Sequence, residues 1–279
     1  MSQQTRVGVY IDAENIRLNG GYKLQYDTLR EFACRGGGDP IRLNTYVTYD
    51  AERAQTDELY KAGQDRFHSV LREYGYKVIR KELRWFFDED GRRYGKANAD
   101  LHMAVDALQQ SDRLDRVLLV TGDGDFVQVV KALQDKGCRV ELLAFDNVAN
   151  ILRQEVDLFT PGDLVPGLVK TRAEGDGPAW GRLGSVVRGI CSYYNDERGY
   201  GFMRFMKRIE PGLWITDTRD ARSPYDTAFF HVSDLPGTVS AEKLPDRRLI
   251  FEFELAEGPP RDNDERNLVA RNLQLLRRL

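Results

Sequence analysis

Cysteine is scarce in this chain of 279 residues: Cys34, Cys138 and Cys191 are odd in number and far apart. No Cys-x-x-Cys pair is present. A disulfide framework and a structural zinc site are therefore both excluded, and reduced core thiols in a cytoplasmic protein are expected. Long apolar runs are absent as well. None approaches ~18 residues, so no membrane span is expected. Met1–Arg6 has no apolar h-region and leads directly into the strand-like Val7–Ile11, so no secretory signal is expected either. The three histidines, His68, His102 and His231, stand in unrelated contexts, which argues against a paired-histidine nuclease. There is no Walker A loop, no glycine-rich dinucleotide fingerprint after a strand and no Gly-x-Ser-x-Gly elbow.

Charge of one sign is also lacking: the formal net charge is −3, with 41% hydrophobic and 30% charged residues, as in a folded soluble protein. By region, residues 1–165 carry 23 Lys and Arg against 27 Asp and Glu, and residues 181–279 carry 16 against 15. Fourteen of those 16 cations are Arg, which favours planar phosphate or base partners.

The first 165 residues alternate strand and helix patterns. Arg6–Asp12, Ile41–Tyr49, Tyr76–Leu83, Arg116–Thr121 and Arg139–Ala144 read as strands. Tyr26–Cys34, Thr56–Tyr74, Asn98–Gln110 and Phe126–Lys136 read as helices. Such alternation predicts an α/β fold with a parallel sheet covered on both faces. Val165-Pro166-Gly167 and Glu174-Gly175-Asp176-Gly177-Pro178 mark residues 166–180 as a linker. Beyond Gly181 the pattern changes to five short strands, near Gly184–Tyr194, Gly199–Phe205, Ala228–Val232, Leu249–Leu255 and Asn267–Leu276, the signature of a small all-β barrel.

Acidic residues fall where a parallel sheet places its ligands. Asp12 ends the first strand; Asp123 and Asp125 follow the Val117–Thr121 strand in Thr121-Gly122-Asp123-Gly124-Asp125-Phe126. Asp100 lies beside Met103, Ala104 and Ala107, on the flank of a core stripe expected to be Leu101, Ala104, Val105 and Leu108. Asp106 falls on the expected wet face. Simpler roles stand beside these. Asp12 with Asn15 would shape a turn, Asp125 with Gln128 would form a capping box, and Asp100 would complement a helix dipole. Clustered carboxylates select Mg²⁺ or Mn²⁺, which activate water for phosphodiester hydrolysis without a protein nucleophile.

Asp12-x-x-Asn15, Lys96-x-x-x-Asp100 and the Gly122–Phe126 segment resemble the NYN family of PIN-like metal-dependent ribonucleases, over about residues 5–163. The resemblance implies a Rossmann-like sheet with Asp12, Asp100, Asp123 and Asp125 as metal ligands. Asn15 and Thr121 would orient ligands or substrate, and Lys96 would contact a phosphate. Ala97-Asn98-Ala99 stands where the family has a glycine and a valine.

In the second region, Tyr193, Tyr200, Phe202, Phe229 and His231 share strand faces with interleaved glycines and with Arg198 nearby, the composition of a base-stacking platform. Arg198–Met203 and Ala228–Ser233 resemble the two RNA-binding motifs of a cold-shock domain, an OB-fold. Tyr193 replaces a usual tryptophan, Val232 a usual phenylalanine, and Arg204–Thr227 is a long connection carrying Arg204, Lys207, Arg208, Arg219, Arg222 and Trp214. Together the resemblances imply an endoribonuclease acting on single-stranded RNA. A non-catalytic RNA-binding regulator and a nuclease for single-stranded DNA remain alternatives.

Overall fold

The computed structural model describes residues 4–88, 90–173, 177–259 and 267–279. They fall into two compact units: residues up to 22 together with 26–160, and residues 23–25 with 161–279.

The first unit is built on strands β1 (Arg6–Asp12), β2 (Asp39–Tyr49), β3 (Lys77–Glu82), β6 (Arg116–Val120), β7 (Arg139–Ala144) and β8 (Leu158–Pro161), with a separate hairpin of β4 (Arg84–Phe87) and β5 (Arg93–Lys96). The six-stranded sheet has the order β3-β2-β1-β6-β7-β8. Central strands must be apolar on both faces. Val7, Val9, Tyr10 and Ile11 of β1 and Val117–Val120 of β6 are accordingly sealed from solvent. From β1 the chain builds outward through β2 and β3, then returns to β6 on the other side of β1. The strand order therefore reverses between β1 and β6, which run parallel with Ile11 opposite Val120.

Helices α1 (Ala13–Leu18), α2 (Tyr26–Ala33), α3 (Ala51–Thr56), α4 (Glu58–Glu73), α5 (Ala99–Gln110), α6 (Val127–Asp135) and α7 (Asn150–Glu155) complete this unit. The helix expected over Thr56–Tyr74 is α4, and the short helix α3 precedes it. Asp50 and Asp57 each cap a new helix by accepting a bond from a backbone N–H three residues on, at Arg53 and Tyr60. Gly75 has φ +88°, as expected of the residue that ends α4.

Helix α5 corrects half of the expected core stripe: Ala104 and Leu108 pack against the core, Leu101 and Val105 do not. Ala99, Met103 and Ala107 are buried, whereas Leu101 is 60% and Val105 39% exposed. Sheet residues Tyr10 and Tyr46 are bulky and share this cluster. A row of alanines around an adaptable methionine lets the helix approach them, while the leucine-bearing row would hold it away. Asp106, expected on the wet face, is half-buried and accepts a 2.7 Å bond from the Tyr46 hydroxyl.

The second unit is a closed OB-like barrel of β9 (Val186–Asn195), β10 (Tyr200–Met206), β11 (Tyr225–His231), β12 (Leu249–Glu257) and β13 (Leu268–Arg278), in the order β10-β11-β13-β12-β9. Its core holds Val187, Met203, Phe205, Phe230, Phe251 and Phe253. Cys191 is also buried, which pushes its thiol up to about 12.

The stretch expected to be a linker does not run free of the barrel. Arg188 of β9 is buried, and a buried guanidinium requires partners. It bonds Glu252 of β12 at 2.8 Å, Asp163 at 3.3 Å and the Lys170 carbonyl at 2.7 Å. Arg277 of β13 pairs with the same Asp163 at 2.7 Å. Arg172 donates to the Asn272 carbonyl, and the Trp180 indole donates to the Met206 carbonyl at 2.7 Å. Residues 163–172 thus form a strap on the barrel. Glu174, Gly175 and Asp176 of the expected linker lie outside the described residues.

Candidate functional site

Two sets of side chains stand out, one in each unit. In the first, β1 delivers Asp12 to the carboxyl end of the sheet, where the chain turns at once into α1. Asp12 Oδ1 accepts a 3.0 Å bond from the Asn15 backbone N–H and so caps that helix. Asn15 Oδ1 in turn accepts a 2.9 Å bond from the backbone N–H of Gly122, which ties the end of β1 to the loop after β6. A side chain at Gly122 would press on the Asn147 carbonyl at 3.2 Å, so the close approach depends on glycine. Thr121 is fully buried, and its hydroxyl accepts from the Asp123 N–H at 3.2 Å. Asp123 Oδ1 accepts from the Asp125 N–H at 3.0 Å and caps the turn that leads into α6. The cap here is therefore Asp123, not the Asp125–Gln128 box expected from spacing.

The carboxyl of Asp12 is raised above its ordinary value. Burial is the main cause, followed in opposition by the Asn15 bond and then by repulsion from Asp123, Asp100 and Glu14. Asp100, in the first turn of α5, belongs to the same negative field as Asp12 and Asp123. Asp125 is exposed, and its contact with the cluster is through its backbone. Lys96 ends β5, and its side chain lies outside the described residues. The donors are all oxygens, which suits a hard divalent cation. Among the described residues, no three acidic, histidine or cysteine side chains stand close enough to hold one ion as they are. Closing on a cation would require the carboxylates to move together.

In the second unit, register builds a continuous aromatic surface. Phe202 of β10 lies opposite both Tyr193 of β9 and Phe229 of β11, and Tyr200 lies opposite His231. The rings touch in sequence: Tyr193–Phe202 at 6.1 Å, Tyr200–Phe202 at 6.1 Å and Tyr200–Phe229 at 5.7 Å between centroids. Tyr193 and His231 are exposed and the other three half-buried, while Phe230, on the opposite face, is fully buried. Arg198 is exposed in the turn before β10, its N–H held by Asn195. The same face continues to Arg204, whose guanidinium lies 5.3 Å from the Tyr225 ring centroid. Sequence reading placed Arg204 only in the insertion, although its two-residue step from Phe202 was the available signal. Arg208, Arg219 and Arg222 of the insertion pair with Glu210, Asp217 and Asp220.

The NYN domain model matches residues 6–164. The chain belongs to the NYN family. Low amplitude and bright protein LabA of Synechococcus elongatus is 28% identical over 162 residues, covering 56% of this chain and 82% of that protein. A crystal structure of a protein of unknown function from Vibrio parahaemolyticus is similar at 22% identity and a TM-score of 0.46, covering 57% of this chain and 93% of the other. The NYN match holds Asp12, Asp100, Asp123 and Asp125, and the barrel lies outside it. Glu14, absent from the sequence-derived set, adds to the field on Asp12 within the NYN domain; its place two residues after Asp12 was the only hint. No helix among the described residues is long and apolar enough to cross a membrane.

Proposed function

We propose that the protein is a divalent-metal-dependent endoribonuclease, with the NYN domain hydrolysing phosphodiester bonds in single-stranded RNA that a cold-shock-like barrel holds. The observation that carries this reading is the joining of Asp12 to the Asp123 loop, through Asn15 and Gly122, at the β1–β6 reversal of an NYN sheet, with Asp100 near enough to repel Asp12. That reversal is where open parallel sheets bind ligands. A bound Mg²⁺ or Mn²⁺ would supply water activation and neutralise charge on the phosphoryl oxygens. Asp12, Asp100 and Asp123 would hold it, with Asp125 as a fourth donor. Asn15 fixes the loop that carries Asp123, and Thr121 fixes the backbone of Asp123 itself. Lys96 is proposed as a phosphate contact. On the barrel, Tyr193, Tyr200, Phe202, Phe229 and His231 offer π-faces to successive bases.

The test is incubation of the full chain with labelled single-stranded RNA and DNA, in Mn²⁺, Mg²⁺ or EDTA. Expected are internal cuts in RNA with either metal, none in EDTA, and none from Asp12→Asn or Asp123→Asn. Cleavage by both variants at the wild-type rate would remove the carboxylate mechanism. Wild-type RNA binding without cleavage under any metal would favour a non-catalytic RNA-binding protein, and preferential cutting of DNA would reassign the substrate.

A further inference from the structure

The β4–β5 hairpin stands apart from the six-stranded sheet, and apart from the phosphate contact proposed for Lys96 the carboxylate mechanism gives it no task. Its strands, Arg84-Trp85-Phe86-Phe87 and Arg93-Tyr94-Gly95-Lys96, contain no aliphatic side chain. Pairing sets Phe86 opposite Tyr94 and Trp85 opposite Gly95, so Arg84, Phe86 and Tyr94 share one face and Trp85, Phe87 and Arg93 the other.

The two faces differ. On the Trp85 face, Trp85 is half-buried, Arg93 lies 4.2 Å from its ring centroid, and Arg93 pairs with Glu52 of α3. That face is tied to its own domain through Arg93, while Phe87, nearer the tip, is 69% exposed. On the other face, Phe86 is 43% and Tyr94 48% exposed, and their rings stack at 5.8 Å. Arg84 and Arg92 are exposed and make no ion pair among the described residues. At the tip, Asp88 is engaged in the turn, accepting bonds from the Asp90 and Arg92 N–H groups.

We propose that this face, Phe86 and Tyr94 flanked by Arg84 and Arg92, is a second stacking site for single-stranded RNA, within the same unit as the carboxylates. Aromatic rings rimmed by guanidinium groups suit bases and phosphates. Position supports the assignment. Two residues separate the end of β5 from α5, whose second residue is Asp100. A strand stacked here would lie beside the proposed chemistry, so the inference deepens the ribonuclease reading and rests on it for the substrate class.

The experiment is photo-cross-linking of the full chain to single-stranded RNA containing 4-thiouridine, in EDTA, with sites mapped by mass spectrometry. Adducts at Phe86 or Tyr94 are expected beside those on the barrel. In a Tyr200→Ala/Phe202→Ala background, adding Phe86→Ala/Tyr94→Ala should lower RNA affinity by at least about tenfold. Phe86→Tyr/Tyr94→Phe should keep it, and melting should be unchanged in all of these hairpin variants. Unchanged affinity with no hairpin adducts would overturn the proposal. So would loss of self-association with RNA affinity intact, which would assign the face to a second copy. Because binding is read without metal, failure of cleavage in Mn²⁺ would count against the nuclease reading and leave this result standing.

Discussion

Asp12 serves two demands at once. It caps α1 through Asn15, and it stands partly desolvated in the field of Asp100 and Asp123. A carboxyl whose folded pKa is raised costs stability once it ionises. That cost is absent below the ordinary carboxylate range and complete above the raised folded value. Asparagine caps a helix as well as aspartate does, without the charge. Asp12→Asn should therefore melt at a higher temperature than wild type at pH 7 while losing cleavage. The gap should close as the pH falls below about 4. Calorimetry across pH 3–8 checks this, and equal melting at pH 7 would show that the field on Asp12 is negligible. At this scale the carboxylates were legible because they sit at fixed offsets from strong strand patterns. The Asn15–Gly122 bond was not, since it joins residues 107 apart and nothing local announces it.

Helix α5 shows where periodicity stops deciding. Its sequence is apolar on two overlapping rows, and either satisfies a 3.6-residue period. The choice is made by the surface it meets, the tyrosines of β1 and β2, which no local window contains. Met103→Ala should cost about 2–5 kcal/mol. Leu101→Ala should stay within about 0.5 kcal/mol. Denaturant midpoints distinguish them, and the reverse order would restore the leucine stripe. The barrel strands were easier to read, because strict alternation separates Tyr200 and Phe202 from Met203 and Phe205 without knowledge of the partner. Tyr200→Ala with Phe202→Ala should weaken single-strand binding by about 2–6 kcal/mol if the two stacks add. Their rings are in contact, so the lower part of that range is expected. Titrations at several salt concentrations, with circular dichroism to verify folding, measure the loss. Affinity in the wild type within twofold of the variant would exclude the platform.

At the scale of the whole molecule, the change of texture near residue 166 marks where an alternating α/β pattern gives way to an all-β one. It does not show how the segment between them is held. Proline and glycine signal a break in regular structure but not whether the backbone there is free. The strap's anchors are Arg188 and Arg277, deep in later sequence, and their need for Asp163 emerges only once both are buried. A fragment of residues 161–279 should thus melt well above one of residues 181–279, because removing one partner of a buried ion pair costs about 3–5 kcal/mol. Equal melting temperatures would mean that the strap adds nothing to the barrel.

The three tryptophans lie in different parts of the chain: Trp85 in the hairpin, Trp180 between the strap and β9, and Trp214 in the insertion before β11, where it is 67% exposed. The Trp85 indole N–H makes no hydrogen bond among the described residues, and its ring is covered by Arg93. With Trp180 and Trp214 replaced by phenylalanine, the remaining emission would come from the hairpin alone. The reporting ring sits on the face opposite Phe86 and Tyr94, so a strand laid on that pair would change its signal through the thickness of two strands, without touching it. The fold thus supplies its own optical probe, one that reads occupancy without competing for the site.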